Sequence, residues 1–486
     1  MLLSRLLKAA QLTPKSQRGD VEVTSVVCDS REAGPGTCFV AIPGTSTDGH
    51  RFISDAVSAG SSAVICEDSS AAVDGVPTAL VDSTREAVGP LAQALAGWPA
   101  RKLTVVGVTG TNGKTTVTWL LRSFLEASGH RPGLLGTIRY ETGANTIAAQ
   151  TTTPDPIGLA AMMAEMVADG RTHLVMEMSS HALHQQRSAG IELAVGVMTN
   201  VTGDHLDYHG TMEDYLAAKL ELFRSLGPEA TAIVNRDDPV GNAFAAVTSA
   251  PVIWYGLSPA ADVRGRIDQI DIDGTRFEII TPSWQANVTT PLIGRHNVFN
   301  CLAASAAAIA LGVDTDVIIR QLATVRHIPG RLERVPTHKG FAVFVDYAHT
   351  DDALVNVLSS LRPVTKGKLI VVFGCGGDRD RTKRPRMARA AQTHADQIVI
   401  TSDNPRTEDP QAIIDEIVVG LDAAGRARSV IVPDRRSAIR QGLDMAAPGD
   451  VVLIAGKGHE KYQAIGGKRI DFDDVQVAHD LMAAGD

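Results

Sequence analysis

Short apolar runs alternate with helix-length segments along most of the chain. In the middle of the sequence, the β-branched runs that predict buried strands lie at 103–108, 173–177, 193–199, 230–235 and 252–255. The last third shows the most regular alternation, with strand-like runs at 341–347, 368–373, 397–401, 429–432 and 451–455. Parallel strands that are covered on both faces give continuous apolar runs. The pattern therefore predicts two parallel α/β sheets, the second of them doubly wound.

The first 98 residues have a different pattern. Residues 1–8 place leucines on one face of a short predicted helix, and strands are predicted at 38–42 and 63–66 between turns rich in Gly and Pro. The expected fold class is α/β with three domains. They are a small α/β N-terminal domain at 1–98, a central parallel-sheet domain at 99–328 and a C-terminal Rossmann-like doubly wound domain at 329–486. A hinge between the last two is expected at 326–330.

Length and composition agree with this division and exclude several classes of protein. The 486 residues exceed what one domain usually holds. A formal net charge of −9 disfavours general nucleic-acid binding, because an acidic surface repels phosphate backbones. No apolar run is long enough to predict a membrane span or the core of a signal peptide, so a cytoplasmic protein is expected. The five scattered cysteines contain no C-x-x-C pair, which argues against a disulfide framework and a structural zinc site.

The strongest chemical signal is V-V-G-V-T-G-T-N-G-K-T-T at 105–116, where a predicted strand leads through a glycine turn into a helix. The match is G-x-x-G-K-T-T, because Val108 occupies the first glycine position of the stricter phosphate-loop consensus. Backbone N–H groups of such a loop surround phosphate oxygens, and the helix N-terminus adds partial positive charge. Lys114 is placed to reach the terminal phosphates and Thr115 to bind Mg²⁺. ATP, or another nucleoside triphosphate, with Mg²⁺ is predicted; an ordinary strand-to-helix turn is the alternative.

Polar residues follow two further predicted strands. Glu177 ends one strand, and Asp204 and His205 follow another. At the carboxyl edge of a parallel sheet these side chains would lie near the phosphate loop, where Mg²⁺ is usually held by one or two protein ligands. Taken singly, each residue is better explained as a loop hydrogen-bonding group, whereas together with the phosphate loop the cluster favours a functional role.

Lys219 borders an apolar helix stripe formed by Leu216, Leu220 and Phe223. One interpretation is a lysine whose stem covers apolar surface while its ammonium reaches water. The other is a buried amine of lowered pKa that reacts with CO₂ to form a carbamate. The sequence alone does not choose between them.

Together these motifs resemble the Mur ligase family. The matching segments are T-G-T-N-G-K-T-T (109–116), T-T-P (152–154), E-M-S-S-H (177–181), D-H-L-D-Y-H-G (204–210), A-A-K-L (217–220), P-G-R (329–331), V-D-Y-A-H (345–349), G-C-G-G-D-R-D (374–380), D-N-P-R (403–406) and G-K-G-H-E (456–460). They cover essentially the whole chain in the family's order. The resemblance implies an N-terminal UDP-sugar-binding domain, a central P-loop ATPase domain and a C-terminal amino-acid-binding domain.

The activity implied is ATP-dependent amide-bond synthesis in the making of peptidoglycan precursors. The D-N-P-R motif is similar to that of members which add meso-2,6-diaminopimelate to the D-Glu γ-carboxylate of UDP-MurNAc-L-Ala-D-Glu through an acyl phosphate. Arg406 fits this chemistry, because a guanidinium binds the second carboxylate that distinguishes diaminopimelate from lysine. The alternatives are the same ligase using L-lysine, a ligase like folylpolyglutamate synthase, and a non-catalytic nucleotide-binding scaffold.

The resemblance also implies site residues and partners. The catalytic residues are Lys114, Glu177, His205 and Lys219. Two Mg²⁺ sites are expected at Thr115, Glu177, His205 and Lys219, the last as N6-carboxylysine. ATP is assigned to Gly110, Thr111, Asn112, Gly113, Lys114, Thr115, Thr116, Asn297, Asn300, Arg331 and Asp346. UDP-MurNAc-dipeptide is assigned to Cys28, Ser30, Thr45, Ser46, Thr47, Thr152, Thr153, Ser179, Gln185 and Arg187. Diaminopimelate is assigned to Arg379, Asp403, Asn404, Pro405, Arg406, Gly456 and Glu460. The rest of the basic tract at 379–386 is expected to be a solvated face. Small-molecule substrates, no nucleic acid, no membrane span and a monomer are expected.

Overall fold

The computed structural model describes residues 1–44, 47–143, 145–325 and 328–483. Arg326 and His327, part of the expected hinge, lie outside the described residues, as do Thr45 and Ser46 of the expected UDP-binding segment. The described residues form three α/β units, each with its own sheet. The predicted three-domain α/β class is confirmed.

The N-terminal unit packs helices around a sheet ordered β1-β5-β4-β3-β2, in which only the β1–β5 pair is antiparallel. Leu3, Leu6 and Leu7 are buried on the first helix, as their spacing predicts. The elements are α1 (Leu3–Ala9), β1 (Ser16–Arg18), β2 (Ser25–Val27), β3 (Thr37–Val40), α2 (Ile53–Ser58), β4 (Ala63–Cys66), β5 (Thr78–Leu80) and α3 (Thr84–Leu95), with 3₁₀ turns at Ser30–Glu32, Gly49–Phe52 and Ser69–Ala71.

The central unit follows a 3₁₀ turn at Pro99–Lys102, and its sheet has more strands than the five predicted. Its elements are β6 (Thr104–Thr109), α4 (Lys114–Ala127), β7 (Pro132–Leu135), β8 (Arg139–Glu141), β9 (Thr146–Ala148), α5 (Pro156–Ala168), β10 (His173–Glu177), α6 (Ser180–His184), β11 (Val195–Met198), α7 (Leu206–His209), α8 (Met212–Arg224), β12 (Thr231–Asn235), α9 (Gly241–Val247), β13 (Val252–Gly256), β14 (Val263–Asp271), β15 (Gly274–Ile280), β16 (Gln285–Thr290), α10 (Arg295–Ala310) and α11 (Thr315–Thr324).

The 11-stranded central sheet is ordered β16-β15-β14-β13-β12-β11-β6-β10-β7-β8-β9. The strands from β14 to β7 in this order are parallel, as predicted, and antiparallel pairs extend both ends. These end strands carry many exposed polar residues, so they lack the continuous apolar run of a covered strand. The phosphate-loop strand β6 lies between β10 and β11, which brings the ends of all three strands together.

The C-terminal unit has a sheet ordered β17-β18-β22-β19-β20-β21, parallel except for the β17–β18 pair, and a separate β23–β24 hairpin. The predicted strands of this unit are all confirmed to within about one residue at each end. The elements are β17 (Glu333–Val335), β18 (Ala342–Asp346), α12 (Asp351–Leu361), a 3₁₀ turn (Arg362–Val364), β19 (Leu369–Phe373), α13 (Lys383–His394), β20 (Gln397–Ile400), α14 (Pro410–Val418), α15 (Ala423–Ala427), β21 (Ser429–Ile431), α16 (Arg435–Asp444), β22 (Val451–Ala455), β23 (Tyr462–Ile465), β24 (Lys468–Asp471) and α17 (Asp474–Ala483).

Across the described part of the chain, every helix is too short or too polar to cross a bilayer.

Candidate active site

The phosphate loop between β6 and α4 is shaped by two glycines. Gly110 has φ +144° and Gly113, which precedes α4, has φ +88°, both in the region that favours glycine. A Cβ on Gly110 would lie 1.8 Å from Thr199 Oγ1, and one on Gly113 would lie 2.2 Å from Asn300 Oδ1. The loop therefore passes so close to β11 and α10 that only glycine fits.

We expect Gly110→Ala to abolish nucleotide binding, because the methyl group must displace Thr199 or the loop itself. Calorimetric titration with a non-hydrolysable ATP analogue measures this. Gly129→Ala is a matched control, because Gly129 also has positive φ but has open space around its Cβ position. Equal affinity of Gly110→Ala and the wild type would contradict the assigned loop.

Two buried lysines meet at one carbonyl of this loop. Lys114 Nζ donates to the carbonyl oxygens of Gly110 and Thr111, each at 2.9 Å, and Lys219 Nζ donates to the same Gly110 oxygen at 2.8 Å. Burial lowers the pKa of Lys114, opposed by the charges of Glu177 and Asp204. Burial, and then the charge of Lys114, lowers the pKa of Lys219 far more. The interpretation of Lys219 as a lysine that reaches solvent is wrong, because its side chain is fully buried.

Glu177 lies at the end of β10 opposite Val108 of β6, one residue before the loop begins to turn. Its carboxylate accepts hydrogen bonds from the Thr137 backbone N–H and hydroxyl, both at 2.9 Å. Thr137 was not identified from the sequence, where it carries no motif. This pair of bonds fixes a buried carboxylate beside Lys114, as the strand-end argument predicts.

His205 begins α7 with a left-handed backbone, φ +54°. Its ring centroid lies 4.7 Å from that of His181, and its Nε2 lies 3.4 Å from Asp204. Burial lowers the pKa of His205, opposed by Asp204, and lowers that of His181 to about 4. Both rings are therefore neutral near pH 7, the form in which imidazole binds a metal.

The residues assigned to the muramoyl-dipeptide form one hydrogen-bonded group beside Glu177. Thr153 Oγ1 donates to the Glu177 carbonyl at 2.9 Å, and Arg187 Nη1 donates to the Thr153 carbonyl at 2.7 Å. Further bonds join Thr152 to Thr137 (3.1 Å), Arg187 Nη2 to Gln185 (2.8 Å), and the Ala182 N–H to the Ser179 hydroxyl (3.2 Å). The structure thus brings the central-domain members of the predicted set together.

The N-terminal members of that set are less tightly connected. Cys28 is half-buried, and burial, with a smaller contribution from Asp155, raises the pKa of its thiol to about 12. Asp155 caps α5 two residues after Thr153, so Cys28 faces the central domain near the dipeptide group. Ser30 lies in the 3₁₀ turn that follows, and the Thr47 carbonyl accepts from the Gly44 N–H at 3.0 Å.

A cavity of about 300 Å³ opens beside the phosphate loop. Asn112, Gly113 and Asn300, which are assigned to ATP, line this cavity. The sequence analysis did not select the lining residues at the end of β12 or the two aromatic residues; these are Asn235, Asp237, Asp238, Pro239, Tyr255 and Phe299. Asn297 is not among the lining residues and instead accepts from Asn300 Nδ2 at 3.1 Å. Asn297 therefore acts on the cavity through Asn300.

Arg331 and Asp346 are not among the residues that line this cavity. Arg331 Nη2 donates to Thr115 Oγ1 at 3.0 Å, which brings a C-terminal cation to the loop of the central domain. Asp346 accepts from the backbone N–H groups of Leu332 (2.7 Å) and Ala348 (2.8 Å), and burial raises its pKa, opposed by Arg331. Asp346 thus holds the backbone that carries Arg331.

Three of the residues assigned to diaminopimelate lie around Lys457, which the sequence analysis did not select although it lies in G-K-G-H-E. Lys457 Nζ, fully buried, lies 3.1 Å from Asn404 Oδ1, 3.2 Å from Glu460 Oε2 and 3.5 Å from Asp403 Oδ1. Asn404 Nδ2 also donates to Glu460 at 2.7 Å. The Cβ position of Gly456 lies 3.4 Å from Asp403. Two carboxylates around one ammonium leave one negative charge, which suits an ammonium group of an incoming amino acid.

Arg406 has a left-handed backbone, φ +53°, and its Nη1 donates to the Gly377 carbonyl at 2.5 Å. Pro405, buried, precedes it. Arg379 is exposed and donates to the Asp378 carbonyl at 3.0 Å. The two arginines therefore belong to facing loops, the turns after β19 and β20, where a doubly wound sheet binds its ligands.

The expectation that the rest of the basic tract is solvated is wrong for Arg384. This side chain is fully buried and binds Glu408 in a bidentate ion pair, with Nη2–Oε1 at 2.8 Å and Nη1–Oε2 at 3.0 Å. Glu408 in turn accepts from the Asp378 N–H at 2.6 Å. Arg384 therefore joins the two arginine-bearing loops.

Among the described residues, no group of three or more His, Cys, Asp or Glu side chains could hold a metal by itself. The donors present at the loop are the Thr115 hydroxyl and the Glu177 carboxylate, both buried. Hard oxygen donors in this small number suit Mg²⁺, which normally takes its remaining ligands from water and substrate phosphates. The residues present therefore fit Mg²⁺ bound together with a nucleotide.

Comparison with known proteins covers all three units. Three family models match the chain: "Mur ligase family, catalytic domain" at 22–96, "Mur ligase middle domain" at 108–308 and "Mur ligase, glutamate ligase domain" at 330–458. A UDP-N-acetylmuramoyl-L-alanyl-D-glutamate–2,6-diaminopimelate ligase of Geobacillus thermodenitrificans is 44% identical over 95% of both chains.

Solved structures agree with these matches. A structure of a ligase with that same name is 32% identical, with a TM-score of 0.70 and 99% of both chains covered. A folylpolyglutamate synthase of Mycobacterium tuberculosis with bound ADP shares the fold, with a TM-score of 0.62 and 21% identity; 77% of this chain and 91% of that one are covered. The identity and coverage of the ligase relatives show that the chain belongs to the Mur ligase family.

Proposed function

We propose that this chain is the ligase that joins meso-2,6-diaminopimelate to the D-Glu γ-carboxylate of UDP-MurNAc-L-Ala-D-Glu at the expense of ATP. The observation that carries the proposal is the D-N-P-R loop, whose Asp403 and Asn404 lie around buried Lys457, in a chain similar over its whole length to diaminopimelate ligases. Folylpolyglutamate synthase is disfavoured because its likeness to this chain is of fold alone.

The work is divided among three segments in this proposal. Residues 1–98 bind the UDP-sugar, residues 99–328 bind ATP and activate the carboxylate, and residues 329–486 bind the amino acid. The protein acts as a monomer in the cytoplasm, where ATP is available.

The first step joins two anions. A γ-carboxylate oxygen of D-Glu attacks the γ-phosphorus of ATP, and the bond from that phosphorus to the β-phosphate oxygen breaks. ADP departs, and the D-Glu side chain is now an acyl phosphate. Lys114 neutralises the transferring group, and Arg331 from the C-terminal domain adds a second cation at Thr115. The protein residues assigned to the dipeptide, around Thr153 and Arg187, hold the substrate carboxylate in line with the γ-phosphate. The two anions are thereby positioned despite their repulsion.

The second step uses the amine of diaminopimelate. The amine nitrogen attacks the acyl carbon, a proton is lost, and the tetrahedral intermediate expels inorganic phosphate to leave an amide. Asp403, Asn404 and Glu460 orient the ammonium-carboxylate centres, and Arg406 and Arg379 bind the distal carboxylate. The pocket binds lysine less well, because lysine leaves these guanidiniums without an anion.

Thr115 and Glu177 would hold one Mg²⁺, and His205 with carbamylated Lys219 a second. When bound, Mg²⁺ neutralises charge between the carboxylate and the triphosphate. Lys219 suits carbamylation because burial and the charge of Lys114 lower the pKa of its amine and so favour the neutral form, and only a neutral amine reacts with CO₂. Carbamylation would also replace the Lys219 amine by an anion beside Lys114, where the two amines otherwise share one carbonyl oxygen.

The test is ADP release by the purified full chain with UDP-MurNAc-L-Ala-D-Glu and diaminopimelate, lysine or ornithine in parallel. We expect ADP release to require the dipeptide substrate and to be fastest with diaminopimelate. ADP release at the same rate with and without an amino acid would indicate a nucleotide-binding scaffold that slowly hydrolyses ATP. Faster turnover with lysine than with diaminopimelate would show that lysine is the substrate.

A further inference from the structure

Asn112 of the phosphate loop is held by residues of two domains. Its backbone is fixed on the end of β11, where its N–H donates to Asn200 Oδ1 at 3.0 Å and its carbonyl accepts from Asn200 Nδ2 at 3.0 Å and Thr199 Oγ1 at 2.6 Å. Its side-chain amide, in contrast, donates to Asp352 Oδ2 of the C-terminal domain at 2.9 Å. A phosphate-loop residue is therefore bound by a different domain.

Asp352 lies in the first turn of α12, and its Oδ2 accepts three hydrogen bonds. The donors are Asn112 Nδ2 and Thr202 Oγ1, each at 2.9 Å, and Asn356 Nδ2 at 3.1 Å. Asn356 is one turn along the same helix, so it orients the carboxylate from within its own domain. The other two donors belong to the central domain, so this one oxygen joins two domains.

The contact also reaches the loop that carries His205. The Thr202 N–H donates to Thr111 Oγ1 at 2.9 Å, and that hydroxyl donates to the Thr202 carbonyl at 3.1 Å. The phosphate loop and the segment leading to His205 are thus held together, and Asp352 binds both of them. Asp351, its neighbour, has no such role: its carboxylate pairs with Arg386 of its own domain at 3.2 Å.

From this geometry we propose that Asp352 is an interdomain latch, a positioning residue that holds the C-terminal domain where the second step needs it. The inference rests on the proposed function. With the latch closed, Arg331 reaches Thr115 and the amino-acid pocket faces the acyl phosphate. With the latch open, ATP keeps the phosphate loop but loses Arg331, diaminopimelate keeps its own domain, and the amine is no longer held against the acyl carbon. Asp352 itself contacts no reacting atom.

Asp352→Ala tests the proposal by separating turnover from binding. We expect kcat to fall by about tenfold or more, the effect of losing hydrogen bonds to a charged group. The affinity for a non-hydrolysable ATP analogue, measured by calorimetry, should fall by less than kcat does, because the phosphate loop stays intact and only the Arg331 contact depends on the latch. Asp351→Ala is the matched control in the same helix turn and should leave kcat unchanged. The kcat of the double variant Thr202→Val, Asp352→Ala should equal that of Asp352→Ala alone, because both substitutions remove the same Thr202–Asp352 hydrogen bond.

Small-angle scattering of the folded variants measures the arrangement of the domains directly, and circular dichroism checks that each variant is folded. With the ATP analogue and the dipeptide bound, Asp352→Ala should have a larger radius of gyration than the wild type and than Asp351→Ala. If Asp352→Ala fails to fold, Asp352→Asn keeps the shape and one carbonyl acceptor, and should give an intermediate loss of kcat. Wild-type kcat and wild-type scattering in Asp352→Ala would overturn the latch. A wild-type protein that forms no amide would instead overturn the proposed function, and the scattering comparison would still test the latch.

Discussion

Replacing Lys219 by alanine should lower kcat by at least about 100-fold, the cost of removing one preorganised charged group at a phosphoryl-transfer centre. Lys219 is fully buried, and burial and the charge of Lys114 lower the pKa of its amine. Lys219→Arg separates the two possible roles, because arginine keeps a cation but forms no carbamate. We expect Lys219→Arg to be as inactive as Lys219→Ala.

Small carboxylates provide the complementary measurement. Formate or acetate should restore part of the activity of Lys219→Ala, because either anion fits the space left by a carbamate. Steady-state ADP release with and without added acetate measures this, and Lys461→Ala is a control, because Lys461 is a largely exposed lysine paired with Asp473. An active Lys219→Arg variant, or full activity of Lys219→Ala, would show that the residue is a cation or a packing group and would remove the carbamate.

Replacing Arg406 by alanine should collapse the preference for diaminopimelate over lysine by about 100-fold or more. A bidentate guanidinium–carboxylate contact contributes about 1.5–3 kcal/mol per charged hydrogen bond, and only diaminopimelate supplies the second carboxylate. The measurement is the ratio of kcat/KM for the two amino acids, with the KM for ATP as an internal check that the central domain is intact.

Two variants make the Arg406 result specific. Arg389→Ala, an exposed residue of the neighbouring helix α13, should leave the ratio unchanged. Arg384→Met should lower the ratio without touching substrate, because Arg384 joins the loops of Arg379 and Arg406 through Glu408. An unchanged ratio in Arg406→Ala would mean that another residue reads the distal carboxylate.

The elements that the sequence predicts best are those whose burial leaves a local pattern. Strands β18, β19, β20 and β22 are buried along almost their whole length and form continuous apolar runs, so their positions follow from the local sequence pattern. The antiparallel strands β14 to β16 do not, because their exposed positions carry polar residues. The Asp273–Gly274 turn between β14 and β15 was the available signal, since such a pair favours a tight hairpin.

The site divides in the same way. Motif residues such as Gly110, Lys114 and Glu177 are found from sequence because the loop and the strand ends dictate their chemistry. The partner of Asn112 could not be found, because Asp352 lies 240 residues away and only the packing of two domains joins them. The burial of Arg384 could not be predicted from the sequence for the same reason, because its partner Glu408 lies 24 residues away on another loop.

The fate of the D-Glu carboxylate oxygen tests the central claim most directly. UDP-MurNAc-L-Ala-D-Glu labelled with heavy oxygen in its γ-carboxylate is turned over with ATP and diaminopimelate, and the inorganic phosphate is examined by mass spectrometry. An acyl phosphate transfers a labelled oxygen from carboxylate to phosphate at each turnover, in step with the amide formed. Unlabelled phosphate, or ATP cleavage without a new amide bond, would contradict carboxylate activation by this protein.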